Sequence, residues 1–295
     1  MSVTATVILP TTADRGALLP FCVGSVLRQT VADLELFIIG DGVSDATRSV
    51  IHELMGQDAR IRFFDQPKHE RRGEEYRHQA LQTARGRIVA YLCDRDLWLP
   101  HHLQTLDNQL QDATLATTAF YSVREDGRMV VPFRPTQSPD KTFVNLSAVG
   151  HTLDSYHQLP YGWRTTPTGV ATDWYMWQQM LAQPDCRPVI HWAPTLLYFK
   201  RGDHPGWTVA QRQAELSHWF AQLQVPAQLQ PALDQAIAQA VYERNRLKES
   251  WLSVKGRSPG QLPGWIRQKI QGWLGSSATA EAEEIDWPDR IKLDR

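Results

Sequence analysis

The sequence predicts an α/β protein, with a Rossmann-like, mostly parallel sheet carrying helices on both faces and an α-helical C-terminal extension. Three observations carry the prediction. Short β-branched, apolar runs alternate with helix-patterned stretches over residues 3–112. The alternation repeats with short loops, as in a parallel sheet covered by helices on both faces. The polar residues Thr11-Thr12, Asp41 and Asp94–Asp96 fall at the ends of the apolar runs, where open α/β sheets bind their ligands.

Residues 3–9 are apolar and β-branched and end at Pro10-Thr11-Thr12, a buried strand with its loop. Residues 16–29 set Leu18, Leu19, Cys22, Val26 and Leu27 at helical spacing. Residues 34–39 (LELFII) predict a second strand that stops at Gly40-Asp41-Gly42. A helix follows, with Ser44 or Asp45 as N-cap and Val50, Ile51 and Leu54 on its buried face. Residues 60–64 (RIRFF) predict a third strand, and residues 73–84 a helix that Gly86 stops. Residues 87–92 (RIVAYL) predict a fourth strand, running into Cys93-Asp94-Arg95-Asp96. Another helix is expected from near Pro100 to about Asp112.

The pattern then loosens. Strands are expected at 115–123 and 128–133 around the turn Asp126-Gly127, before a polar loop with Pro135 and Pro139. Residues 172–182 (TDWYMWQQMLA) predict a helix capped by Thr172 or Asp173, and residues 187–199 two short strands. After Pro205, amphipathic helices are expected at 208–223 and 228–250, and a short amphipathic segment at 263–274. These readings divide the chain into a domain over 1–205, a helical extension over 206–275 and a polar tail over 276–295.

Composition narrows the class. A chain of 295 residues with 42% hydrophobic and 21% charged residues is globular. Its net charge of -1 lacks the basic surplus of a nucleic-acid binder, so no nucleic-acid partner is expected. Cys22, Cys93 and Cys186 form no CxxC pair, which argues against a zinc ribbon or a disulfide framework and for a reducing, cytoplasmic setting. The N-terminus has no basic region before an apolar one, and no run of about 18 apolar residues is present. Trp265, Ile266, Ile270, Trp273 and Leu274, with Arg267 and Lys269, leave two readings open. One is peripheral contact with the inner face of a membrane; the other is docking on the catalytic domain or dimerisation through the C-terminal helices.

Three carboxylate positions carry candidate chemistry. Asp41 can accept hydrogen bonds from a nucleobase N–H or ribose hydroxyls, or can be a turn residue of its Asp-Gly pair. Asp94 and Asp96, one residue apart at a strand end, can share a divalent cation, or Asp96 can cap the next helix. Asp173 can be a general base for a hydroxyl proton or an N-cap. His101-His102, His151 and His157 lack metal-ligand spacing. The absence of GxGxxG and GxxxxGK[ST] loops weakens dinucleotide and P-loop readings.

In order, three segments resemble the family 2 glycosyltransferases. TVILPTTADRGALLPFCVGSVLRQTVADLELFIIGDGVSDAT resembles the family's opening strand, helix and "D-D-G-S-x-D" strand end. GEEYRHQALQTARGRIVAYLCDRDLWLPHHL resembles its helix, strand and D-x-D-D segment. ATDWYMWQQML resembles the helix that carries its catalytic aspartate. The resemblance implies a GT-A fold and an inverting transfer of a sugar from a nucleotide-diphosphate sugar to a glycan, lipid-linked or protein acceptor, as in polysaccharide biosynthesis. It implies that Pro10, Thr11 and Thr12 line the nucleotide pocket and that Asp41 binds the base. Arg72 and Arg77 would lie near the diphosphate, Asp94 and Asp96 would hold Mn2+ or Mg2+, and Asp173 would be the general base. Near Asp173, Trp163 and Trp174 are the tryptophans expected to face an acceptor.

Two departures qualify this. Gly40 stands where many members have the first aspartate of "D-D-G", and Arg95 where many have a metal-binding aspartate. Either Asp94 and Asp96 hold the cation alone, or metal binding is weakened, or the Arg95 guanidinium meets the diphosphate instead. The rival reading is a non-catalytic relative that binds a nucleotide sugar or glycan. A nucleotidyltransferase is disfavoured because ILPTTADRG is poor in glycine.

Overall fold

The computed structural model describes residues 3–132, 145–199 and 206–254. Its strands are β1 (Val3–Ala13), β2 (Leu34–Val43), β3 (Ile61–Gln66), β4 (Gly86–Tyr91), β5 (Leu97–Trp98), β6 (Leu115–Val123), β7 (Met129–Val130), β8 (Val149–Thr152) and β9 (Pro188–Tyr198). They form a single sheet in the order β3-β2-β1-β4-β8-β6-β9-β5, with β7 on β6. The first four strands pair in parallel. β8 is antiparallel to both β4 and β6, and β9 runs parallel to β6.

The parallel strands are buried on both faces, and their side chains alternate between two apolar clusters. Val7 and Leu9 of β1, Leu36 and Ile38 of β2, and Ile88 and Ala90 of β4 enter one cluster. Ile8, Phe37, Ile39, Val89 and Tyr91 enter the other. That period of two is why these runs are continuously hydrophobic in sequence. Helices α1 (Leu19–Leu27), α2 (Asp45–Gln57) and, after α3 (Glu74–Leu81), α4 (His102–Gln109) cover the first cluster with Leu19, Ile51 and Leu106. Helices α3, α5 (Leu153–His157) and α6 (Thr172–Leu181) cover the second with Leu81, Tyr156, Met176 and Trp177.

Helix α7 (Val209–Leu223) and the first turns of α8 (Pro226–Val254) add Leu216, Leu229 and Leu233 to the first cluster. This compact unit ends at Ala238, and Gln239 opens a second one. A capping box, Thr208 with Gln211, starts α7. No helix among the described residues is long and apolar enough to cross a membrane.

The mostly parallel, two-sided sheet matches expectation, with three local differences. Gly86 does not stop α3, which ends at Leu81; it opens β4 instead, because a Cβ there would lie 2.2 Å from the Thr6 backbone nitrogen. Residues 188–198 form one strand, not two, with register shifts near Ala119 of β6. β5, β8 and α5 are too short to give a periodic signal. The loop with Pro135 and Pro139 and the 263–274 segment lie outside the described residues.

Candidate active site

The carboxyl ends of β1, β2 and β4 converge, and short side chains lock them together. Thr12 donates its hydroxyl to the Asp41 carbonyl at 2.6 Å, tying β1 to β2. Thr11 donates to Asp94 Oδ2 at 2.9 Å, tying β1 to the loop after β4. Pro10 pairs with Ile39 in the same ladder. β1 then bulges beyond Thr12, and Ala13 takes a left-handed φ of 48°. Its carbonyl accepts the Thr47 hydroxyl at 2.7 Å, which holds this costly conformation.

Asp41 is buried, and both of its oxygens serve the segment before α3. Lys68 Nζ donates to Oδ2, and the His69 backbone N–H donates to Oδ1 at 2.6 Å. Each oxygen keeps a second lone pair. Gly73, at φ 65°, caps α3 where a Cβ would come within 3.2 Å of the Asp41 Cβ. Glycine therefore fits both the backbone and the gap. From this segment Arg72 is exposed, while Arg77 of α3 is 5% exposed.

Asp94 and Asp96 are both committed within the protein. Asp94 Oδ1 accepts Arg15 Nη1 at 2.7 Å, and its other oxygen takes Thr11. Asp96 is fully buried; it accepts the Ser147 hydroxyl and the Phe199 backbone N–H, the latter at 3.0 Å. Burial pushes the Asp96 carboxyl up against the opposing pull of Arg95 and of these donors. Burial opposes the Arg95 charge, but Cys93, Asp96, Asp94 and Tyr198 outweigh it and raise the guanidinium's pKa. The Cys93 thiol is pushed up to about 12, chiefly by burial, and is neutral. Among the described residues no group of three or more His, Cys, Asp or Glu side chains converges as a metal set.

Asp173 is the second residue of α6, half-buried. The N-cap of that helix is Ala171, and no side chain caps it, so the capping alternative for Asp173 does not hold. Burial pushes its carboxyl up, against the pull of Arg77, Arg72 and Arg95. Arg72 comes from the stretch before α3, Arg77 from α3 and Arg95 from the loop after β4. Asp173 and Arg72 line a cleft of about 300 Å³ with Glu70, Arg71, Thr172 and Trp174. Trp163 does not face it: the indole is 2% exposed and donates to the Tyr91 hydroxyl at 3.0 Å, and Arg77 lies 4.8 Å over its ring.

Sequence reasoning did not find Arg15, Lys68, Glu74 or Ser147. Glu74 is fully buried and accepts the Arg72 N–H at 3.0 Å. Burial pushes its carboxyl up, but backbone N–H groups, Thr166 and Arg77 outweigh that and hold it below the usual range.

Known proteins match this architecture. The chain is similar to the GalNAc(5)-diNAcBac-PP-undecaprenol β-1,3-glucosyltransferase of Campylobacter jejuni, 34% identical over 100 residues, which are 34% of this chain and 32% of that one. The chain thus spans less than half the length of this curated relative. Its fold is similar to TarS of S. aureus, solved with UDP-GlcNAc, at a TM-score of 0.56 and 14% identity over 92% of this chain and 80% of that one. It is also similar to the mannosyltransferase PcManGT from Pyrobaculum calidifontis, solved with GDP-Man and Mn2+, at a TM-score of 0.51 and 17% identity over 94% and 86%. The fold is therefore of the GT-A type. The model of glycosyl transferase family 2 matches residues 6–159, just over half of the sequence, and the chain belongs to that family.

Proposed function

We propose that this chain transfers a sugar from a nucleoside-diphosphate sugar to an acceptor hydroxyl, with inversion, and that Asp173 is the general base. The observation that carries this is Asp173 itself. It is a half-buried carboxylate that lines a cleft with Arg72; burial raises its pKa, against the charges of Arg77, Arg72 and Arg95. A base is most effective when its pKa approaches the working pH, and burial moves Asp173 in that direction.

In the reaction, the acceptor oxygen forms a bond to the anomeric carbon as its proton passes to Asp173. The bond from that carbon to the diphosphate oxygen breaks on the opposite face, and the diphosphate leaves with the electron pair. Pro10, Thr11, Thr12 and Asp41 border the nucleoside, with Asp41 offering its remaining lone pairs to a base N–H. Trp174, beside Asp173 on the cleft wall, offers an aromatic face to the acceptor. The Campylobacter relative is named for a glycan on undecaprenyl diphosphate. We assign this chain the same acceptor class, a sugar hydroxyl on a lipid-linked glycan.

The residues that a cation would use are Asp94 and Asp96. Their oxygens already serve Arg15, Thr11, Ser147 and Phe199, and Arg95 lies between them in sequence. This donor set does not fit a divalent ion, so the proposed reaction has no step through one.

The test is turnover of a panel of UDP-, GDP-, CDP- and TDP-sugars with lipid-linked acceptors, for wild type and Asp173→Asn. The variant is expected to lose about a hundred- to ten-thousandfold in turnover while still binding donor. Full turnover in the variant removes Asp173 as base. Donor binding without turnover in wild type leaves a nucleotide-sugar-binding relative.

A further inference from the structure

Resting on the donor-site reading above, we propose that Arg95 and Arg77 neutralise the donor diphosphate in place of a divalent cation. Three observations converge on this. First, both carboxylates that a cation would use already accept a donor on each oxygen. Asp94 receives Arg15 at 2.7 Å and Thr11 at 2.9 Å, while Asp96, fully buried, receives Ser147 and Phe199. A cation here would share those oxygens with donors already in place and would meet the positive charge of Arg15 on Asp94, a repulsion that a bare carboxylate pair does not carry.

Second, the guanidiniums hold the opposite imbalance. Arg77 is 5% exposed, and its Nε and Nη1 are buried with no hydrogen-bond partner; only Nη2 is used, donating to the Arg72 carbonyl at 2.8 Å. Arg95 Nε is likewise buried without a partner. Buried donors of this kind call for an acceptor, and a charged one above all. Third, the two arginines come from different elements, α3 and the loop after β4, and the charge of each favours the ionised Asp173 carboxyl. Two planar guanidinium forks can pair with the several non-bridging oxygens of a diphosphate, which a point charge such as lysine does not match.

The chemistry is that of a leaving diphosphate, which gains negative charge as the anomeric bond breaks. Fixed positive charge in a partly buried site stabilises that change without reorganisation. Asp94 acts indirectly: with Arg15 and Thr11 it holds the loop that presents Arg95, and is a positioning residue.

The experiment measures the affinity of the full chain for UDP, GDP, CDP and TDP by calorimetry, in excess EDTA and in excess manganese. We expect one nucleoside diphosphate to bind with the same Kd in both. Arg95→Ala and, separately, Arg77→Met should then weaken it by about ten- to a hundredfold in EDTA, with Arg95→Lys in between. Binding that appears only with manganese overturns the inference and leaves the donor site standing. Metal-independent binding that neither variant weakens overturns the assignment of the arginines. No binding of any of the four overturns this inference together with the reading on which it rests. The comparison between EDTA and manganese uses wild-type protein, so it decides the matter even if a variant fails to fold.

Discussion

Arg15 holds Asp94 through an Nη1–Oδ1 contact of 2.7 Å, across 79 positions of sequence. Asp94 is almost fully buried and Arg15 only partly exposed, so the pair is shielded on one side. It closes the loop between β1 and α1 onto the loop after β4. Arg15→Ala leaves one oxygen of a buried carboxylate without its charged partner and is expected to cost about 1–3 kcal/mol. A double-mutant cycle with Asp94→Asn, read from urea midpoints, checks it. Additive losses mean that the two residues do not communicate.

Asp96 is expected to be structural. It is fully buried and joins the loop after β4 to Ser147 and to the backbone of Phe199. Asp96→Ala leaves a hydroxyl and an N–H without acceptors and should cost about 3 kcal/mol, whereas Asp96→Asn keeps an acceptor oxygen and should cost less. Equal stability of the two variants excludes this role.

The strand ends were legible because their signals are local. Continuous apolar, β-branched runs mark β1, β2 and β4, and the polar residues at their ends, Thr11, Asp41 and Asp94, lie where ligands bind in such sheets. What those residues hold was not legible. Thr11 reaches Asp94 over 83 positions, Lys68 reaches Asp41 over 27 and Ser147 reaches Asp96 over 51. No local pattern encodes such pairings. A tryptophan near a catalytic position is likewise ambiguous in sequence, and only burial separates Trp163, inside the second cluster, from Trp174 on the cleft.

Turnover should show an acidic limb set by Asp173. The base must be ionised, so activity falls as pH drops through its pKa. Burial raises that pKa, so the limb should lie above the ordinary carboxylate range. Arg77 is the first of the charges opposing the shift. Arg77→Met should therefore move the limb further up, seen in a pH profile of kcat under saturating donor. A limb that stays in place separates Arg77 from the base.

Two histidines should make the fold acid-sensitive. His102 is stacked on Trp98 at 4.4 Å and uses Nδ1 on the Thr195 hydroxyl at 2.7 Å; its Nε2 is buried without a partner. His151 bonds the Tyr91 hydroxyl at 2.7 Å and the Thr152 carbonyl at 2.9 Å. Burial lowers their pKa values to about 3 and about 4 respectively. A histidine with a depressed folded pKa binds fewer protons than the unfolded chain below its ordinary value near 6.5. Stability is therefore present above that pH and lost as pH falls towards the folded values, by about 3 kcal/mol per histidine at pH near 4.5. Urea midpoints from neutral to acidic pH should fall, and His102→Gln should flatten part of the slope.

Gly86→Ala should be the most damaging small substitution in the sheet. A Cβ at this position would lie 2.2 Å from Thr6 N and 2.4 Å from Ala5 C, both backbone atoms of the central strand β1. Neither can move without breaking the ladder in which Val3 pairs with Gly86 and Ala5 with Ile88. The Gly86 N–H also donates to Thr6 Oγ1 at 2.9 Å, and that hydroxyl donates in turn to Glu35 at 2.8 Å. Separating β4 from β1 therefore disturbs a buried polar chain as well as the packing. The expected loss is about 4 kcal/mol or more, enough to leave the variant largely unfolded or insoluble. A control at Gly56, where nothing lies within 4 Å of the added carbon, should be neutral or slightly stabilising as Gly56→Ala because the site is helical. Circular dichroism melts of the two variants make the comparison. Equal melting temperatures would mean that β1 and β4 are not held as closely as this register requires.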